Sequence, residues 1–227
     1  MSIVYKTATL LFAGALRFWS DCKVEGAENV PKTGPLIVVA NHLSIIDSPL
    51  LAVCIPRHIE FMAKAELFHN PITSLLLRSG GAFPIAGNGR EFYSIKRSLA
   101  ILKREGVLGI FPEGGRNQTS LGKAMLGTAM IAIKSGAPVL PVGISGTEVV
   151  RSYANMTVPI GAFGVKIGEP FNLPTAYGTR LRVNLGKVTD TIMERIAEIL
   201  PENYRGLYDG SVGHGHHEYT SPQRWGT

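Results

Sequence analysis

The stretch Leu36-Ile37-Val38-Val39-Ala40-Asn41-His42-Leu43-Ser44-Ile45-Ile46-Asp47 decides the fold. Its first five residues are apolar without a break, and three of them are β-branched. A strand with one wet face alternates apolar and polar side chains; an unbroken run is covered on both faces. Layers on both faces imply a helix–sheet–helix sandwich. The polar residues that begin at Asn41 then form the loop at the strand's C-terminal end.

The neighbouring segments repeat the pattern. A turn at Pro31-Lys32-Thr33-Gly34-Pro35 precedes the strand, and Ser48-Pro49 opens a helix running toward Cys54, proline being welcome in a first turn. Further strands are expected at 58–63, 82–85, 107–111, 139–144 and 162–167. Helices are expected at 71–78, 91–105, 126–135 and 180–200, several ended by glycine. Strands that alternate with helices give an α/β fold: a single domain with a mixed, largely parallel sheet flanked by helices. Ligands of such sheets gather at the carboxyl ends of the strands. That singles out the loops after Ala40, Ile85 and Phe111.

Composition narrows the class. Of 227 residues 45% are hydrophobic and 18% charged, against a usual charged share of about 25%. A disordered chain is excluded. The 26 glycines and 14 prolines follow no fixed period, which excludes collagen-like and coiled-coil chains. Mean hydropathy is +0.14, high for a soluble enzyme and low for a polytopic membrane protein. Lys plus Arg exceeds Asp plus Glu by 23 to 17, a net charge of +6 that favours anionic partners. The basic residues form no run and no nucleic-acid motif, so no nucleic acid is expected. Two cysteines in unlike contexts, Cys22 and Cys54, make a disulfide framework improbable and a reducing cytosol the default.

Residues 3–19 are mostly apolar but interrupted by Lys6 and Arg17, too short a clean run for a membrane span. At 100° per residue Ser2, Lys6, Thr9, Ala13, Arg17 and Ser20 share one stripe. Val4, Ala8, Leu11, Phe12, Ala15, Phe18, Trp19 and Cys22 lie opposite. Residues 1–22 therefore read as an amphipathic helix lying in a membrane interface, with an anionic membrane surface as partner. An ordinary helix docked on the core has the same pattern. The tail, 201–227, is polar and rich in Gly and His and reads as mobile. His214, His216 and His217 cluster there, an adventitious metal site at most.

Three loops carry the chemistry. In the first, His42 and Asp47 stand five apart just after the buried strand. A His can take a proton from a hydroxyl near neutral pH, and a carboxylate on its far nitrogen fixes the tautomer. Equally, Asp47 or Ser48 can simply cap the helix behind it. The second loop runs Gly81-Ala82-Phe83-Pro84-Ile85-Ala86-Gly87-Asn88-Gly89-Arg90. The third, Phe111-Pro112-Glu113-Gly114-Gly115-Arg116-Asn117, brings a carboxylate, two glycines and a guanidinium to the sheet edge. Backbone N–H groups and an Arg can hold a phosphate there.

Taken together with Val139-Leu140-Pro141-Val142, these loops resemble the motifs of the glycerolipid acyltransferase family, from about Val24 to Phe171. The likeness is greatest to the bacterial lysophosphatidate acyltransferases. It implies an acyltransferase domain over 23–200 that moves a fatty acyl group from acyl-CoA or acyl carrier protein to the free hydroxyl of a lysophospholipid acceptor. By that resemblance His42 is the general base and Asp47 its orienter. Glu113, Gly114 and Arg116 hold the glycerol phosphate, Ser44 and Lys64 line the substrate pocket, and the region around Pro141 helps form the acyl site. No metal and no cofactor is implied; the thioester is a co-substrate. The implied location is the cytoplasmic face of the membrane, peripheral or monotopic.

Three positions depart from the family pattern. An Arg usually follows the proline of the second motif by two or three residues, whereas here Ala86, Gly87 and Asn88 intervene and the first Arg is Arg90, which is expected to bind the acceptor phosphate from a shifted loop unless the glycine-rich turn offers backbone N–H groups instead. Gly115 stands where Thr is common, and Asn117 where Ser is common. These loops read the acceptor, so a lyso-lipid with a different head is the alternative acceptor. A non-catalytic lipid-binding protein on the same scaffold, or a thioesterase with water as acceptor, are the remaining alternatives; the intact His42/Asp47 pair argues against pure binding.

Overall fold

The computed structural model describes residues 3–85, 91–173 and 184–209. The chain opens with helix α1 (Ile3–Trp19) and strand β1 (Ser20–Glu25). Then come β2 (Leu36–Ala40), α2 (Asp47–Cys54), β3 (Ile59–Lys64), α3 (Pro71–Ser79), β4 (Phe83–Ile85), α4 (Glu91–Lys103) and β5 (Val107–Ile110). The second half holds α5 (Gly127–Ser135), β6 (Val139–Ser145), α6 (Tyr153–Met156), β7 (Gly161–Ile167) and α7 (Leu185–Ile199).

The strands form a seven-stranded sheet in the order β1-β7-β6-β2-β5-β3-β4. Every neighbouring pair is parallel except β6 and β7. The run 36–40 lies at the centre, and all five of its side chains are buried. Alternation along the strand splits them between two cores. Ile37 and Val39 meet Ile101, Ala129, Ile192 and Ile196 of α4, α5 and α7. Leu36, Val38 and Ala40 meet Leu16 of α1 and Leu50 and Leu51 of α2. The last helix starts at Asn184, whose side chain accepts from the N–H groups of Gly186 and Lys187, an N-cap that ends the approach sharply.

Two expectations change at the N-terminus. The helix stops at Trp19, not at 22, because Ser20 turns its hydroxyl onto the Leu16 carbonyl and the chain from Ser20 pairs with β7. β1 is an edge strand with Asp21, Lys23 and Glu25 toward solvent, so it shows no apolar run to read. Helix α1 also sits differently from a soluble amphipathic helix. Tyr5 and Leu16 are its buried residues, and Tyr5 packs edge-on against His58 with ring centroids 4.4 Å apart. Ile3, Val4, Leu10, Leu11, Phe18 and Trp19 are exposed.

Cys22 and Cys54 meet in the core, both free. Their thiols hydrogen-bond, which lowers the Cys22 thiol's pKa and, with burial, raises that of Cys54. Residues 201–209, expected to begin a mobile tail, pack instead. Tyr204 and Tyr208 lie against the α7 core, and the Leu121 N–H donates to the Tyr204 carbonyl at 2.8 Å. Aromatic rings with an apolar surface to bury hold what polar composition suggested would be loose. The rest of that tail, with His214, His216 and His217, lies outside the described residues.

The end of β6 turns through Gly146, at φ 80°, into a short helical turn over Thr147–Val149. Only glycine reaches that conformation without strain, and a Cβ would run into the Ala162 carbonyl oxygen. Gly146→Ala is therefore expected to destabilise the fold by more than about 1 kcal/mol, measured by chemical denaturation.

Candidate active site

The C-terminal ends of β2, β5, β3 and β6 lie along one edge of the sheet, since these strands are mutually parallel. The loop after β2 is anchored first. Asn41, nearly fully buried, donates to the Ile144 carbonyl and accepts from the Ile144 N–H, both at 2.8 Å, riveting the loop to β6.

His42 and Asp47 then meet. The Nδ1–H of His42 donates to Oδ2 of Asp47 at 2.8 Å. The Asp47 side chain is 0% exposed and that of His42 18%. The same Oδ2 accepts the N–H groups of Leu43 at 2.7 Å and Ser44 at 2.8 Å. Oδ1 accepts the hydroxyl of Thr147 at 2.7 Å. Asp47 is the first residue of α2, yet its carboxylate turns back onto the preceding loop. That resolves the two readings of Asp47: it caps the His42 loop from within and orients the His. The imidazole stacks on Phe111, centroids 4.0 Å apart and planes 15° off parallel, with Phe61 stacked beyond it. Held at Nδ1 and on one face, the ring presents Nε2 as its remaining basic atom.

The loop after β5 is lashed to the first. The His42 N–H donates to Glu113 Oε1 at 3.2 Å, and the Asn117 N–H donates to the His42 carbonyl at 2.7 Å. Glu113 Oε2 accepts from the Gly122 N–H at 2.9 Å. Burial pushes the Glu113 carboxyl above its usual range, while these two amides pull it down. Gly114 has φ 68°, and a Cβ there would strike the Met125 sulfur. Arg116 is exposed and forms no hydrogen bond or ion pair with the described residues. It is a free cation beside the pair's loop.

One sequence-derived assignment changes. Ser44 is 1% exposed, and its hydroxyl donates to the Val150 carbonyl at 2.5 Å, so it braces the loop. Glu113, half-buried, accepts one backbone amide on each oxygen and joins two loops. Lys64 ends β3, exposed, beside Ile85 at the same sheet edge. Arg90 lies outside the described residues. Thr147 is the residue that sequence reasoning missed. It is 100 positions from Asp47, and a Thr after a Ser-Gly pair reads only as a turn. Among the described residues no group of three His, Cys, Asp or Glu can hold a metal ion.

The arrangement can take a proton from a hydroxyl at Nε2 and hold an anion at the Gly114–Arg116 turn. Comparison with known proteins agrees with that chemistry. Residues 21–145 match the profile of the family described as Acyltransferase. The chain is 29% identical to the 1-acyl-sn-glycerol-3-phosphate acyltransferase of Bacillus subtilis over 197 residues, 86% of this chain and 96% of that one. It is 34% identical over 113 residues to a lyso-ornithine lipid O-acyltransferase of Pseudomonas aeruginosa, 49% of this chain and 43% of that one. The crystal structure of the 1-acyl-sn-glycerophosphate acyltransferase of Thermotoga maritima superimposes with a TM-score of 0.65 at 30% identity, covering 86% of this chain and 78% of that one.

Thr147→Val keeps the shape and removes the hydroxyl that Asp47 Oδ1 needs. It is expected to cost about 1–3 kcal/mol in denaturant unfolding, with Thr147→Ser retaining most of the stability.

Proposed function

The chain belongs to the acyltransferase family, and on that premise we propose that it acylates the free hydroxyl of lysophosphatidic acid to form phosphatidic acid. The observation that carries this is the His42–Asp47 contact at the end of β2, with the Glu113–Arg116 loop strapped to it. Nε2 of His42 takes the hydroxyl proton as the acceptor oxygen attacks the thioester carbonyl. The C–O bond forms, the C–S bond breaks, and the imidazolium returns its proton to the departing thiolate. No acyl-enzyme is formed and no cofactor takes part. Asp47 keeps the Nδ1–H tautomer and steadies the imidazolium. The acceptor phosphate meets Arg116 and the backbone around Gly114, with Lys64 on the same edge. The donor is acyl-CoA or acyl carrier protein, whose acidity suits a chain of net charge +6.

The enzyme works from the cytoplasmic side, lying on an anionic bilayer. The exposed arc of α1, Ile3, Val4, Leu10, Leu11 and Phe18, with Lys6 and Arg17 beside it, supports this. No helix among the described residues is long and apolar enough to cross a membrane.

A second acceptor is favoured by specific residues: Gly115 and Asn117 depart from the family's phosphate loop, and one relative is named for lyso-ornithine lipid. Lysophosphatidate and lyso-ornithine lipid, each offered with acyl-CoA and with acyl carrier protein, separate the two readings. Phosphatidic acid formation is expected; its absence with both donors overturns the assignment. His42→Ala is expected to lower kcat/KM by about 10²–10⁴-fold. Arg116→Ala is expected to raise the acceptor KM by about 10- to 100-fold, the worth of a charged hydrogen-bonded contact, with kcat little changed.

A further inference from the structure

The exposed apolar surface does not end with α1. Parallel pairing sets Ser20 of β1 opposite Gly161 of β7, so the two backbones run one strand spacing, about 5 Å, apart. Trp19 and Ile160 immediately precede that pair, and both are exposed. The Phe18 and Trp19 rings lie 6.3 Å apart at the end of the helix. On the other side, Val149 Cγ2 lies 3.2 Å from where a Cβ on Gly161 would stand. The Ile160 N–H donates to the Val158 carbonyl at 2.9 Å, a tight turn that keeps these two residues together. Ile160 is 69% exposed, Val149 54% and Val158 39%. A single exposed Val or Ile is ordinary; five large apolar residues around one strand end are not.

The inner side of this segment holds the catalytic loop. Thr147 donates to Asp47, and the Val150 carbonyl accepts the Ser44 hydroxyl. One short turn therefore turns Thr147 and the Val150 carbonyl toward the His42–Asp47 loop and leaves Val149 exposed. Arg17 and Arg151, both exposed, stand beside the apolar residues in sequence. Apolar side chains beside exposed Arg are what a headgroup layer over acyl chains receives well.

We propose that Val149, Val158 and Ile160 form a second foot on an anionic bilayer, adjoining the Phe18–Trp19 end of α1. The foot brings the mouth of the His42–Asp47 site to the lipid surface, so that a lysolipid moves from bilayer to base without crossing bulk water. This rests on the acyltransferase reading and on α1 lying on the same bilayer. A bilayer is the occupant because the patch continues the α1 arc, stands beside cations, and borders a site whose acceptor resides in lipid.

The test uses the full chain and vesicles containing phosphatidylglycerol. Val158→Glu/Ile160→Glu is compared with Leu11→Glu, which probes α1 alone. The double variant is expected to lower vesicle binding by about tenfold or more, because it removes two aliphatic side chains from the lipid surface. Turnover of vesicle-borne lysophosphatidate falls in parallel. Turnover of a short-chain, water-soluble lysophosphatidate stays within about twofold of the unaltered protein, which also shows that the fold is intact. Unchanged vesicle binding by the double variant, with Leu11→Glu released, overturns the foot and leaves α1 standing. If neither variant is released, the bilayer reading of α1 fails as well. If the unaltered protein turns over neither substrate, the acyltransferase assignment is at fault instead. Loss of self-association or of carrier-protein binding, with vesicle binding intact, assigns the patch to a protein partner and overturns the proposal.

Discussion

A carboxyl group with no exposure to water must have its oxygens hydrogen-bonded inside the protein. Asp47 meets that requirement with four donors: His42, Leu43, Ser44 and Thr147. The loop from 42 to 44 has its shape because it wraps this side chain. The turn after β6 has its place because Thr147 must reach it. Each further anchor serves the same arrangement. Asn41 rivets β2 to β6, and the Tyr204 hydroxyl accepts the Gly146 N–H and donates to Glu148 on either side of Thr147. Glu113 ties the β5 loop to the His42 backbone.

The sheet makes these contacts possible by direction. Parallel β2, β5, β3 and β6 deliver their loops to one edge, where His42, the Glu113–Arg116 loop and Thr147 come together. The antiparallel step from β6 to β7 then reverses the chain. It returns the start of β7, and with it the junction of α1 and β1, to that same edge. Apolar surface and catalytic loop thus become neighbours through strand polarity alone.

Much of this was legible in the chain. The run 36–40 announced a doubly covered strand, and helical or strand periods marked most other elements to within a few residues. β1 escaped because an edge strand with Asp21, Lys23 and Glu25 outward has no apolar signature. Residues 201–209 escaped because polar neighbours mask Tyr204 and Tyr208, whose rings find the α7 core. The sequence placed His42 and Asp47 on one loop after one strand but could not choose between an orienting and a capping Asp.

Residue type and local spacing determined what could be local: the layered α/β class, the loops at the strand ends, the five-residue interval of the His–Asp pair, and an apolar first helix. Tertiary structure decided which polar groups face solvent and which face each other. By family resemblance Ser44 lined the substrate pocket and Glu113 held the glycerol phosphate. Their partners, the Val150 carbonyl at 106 residues' distance and the His42 N–H at 71, are invisible along the chain. Thr147 acquires its role only across the 100 residues that separate it from Asp47. The reason is physical: periodicity reports which face an element buries, whereas a buried hydrogen bond between distant loops depends on register and strand direction, which arise only when the sheet assembles.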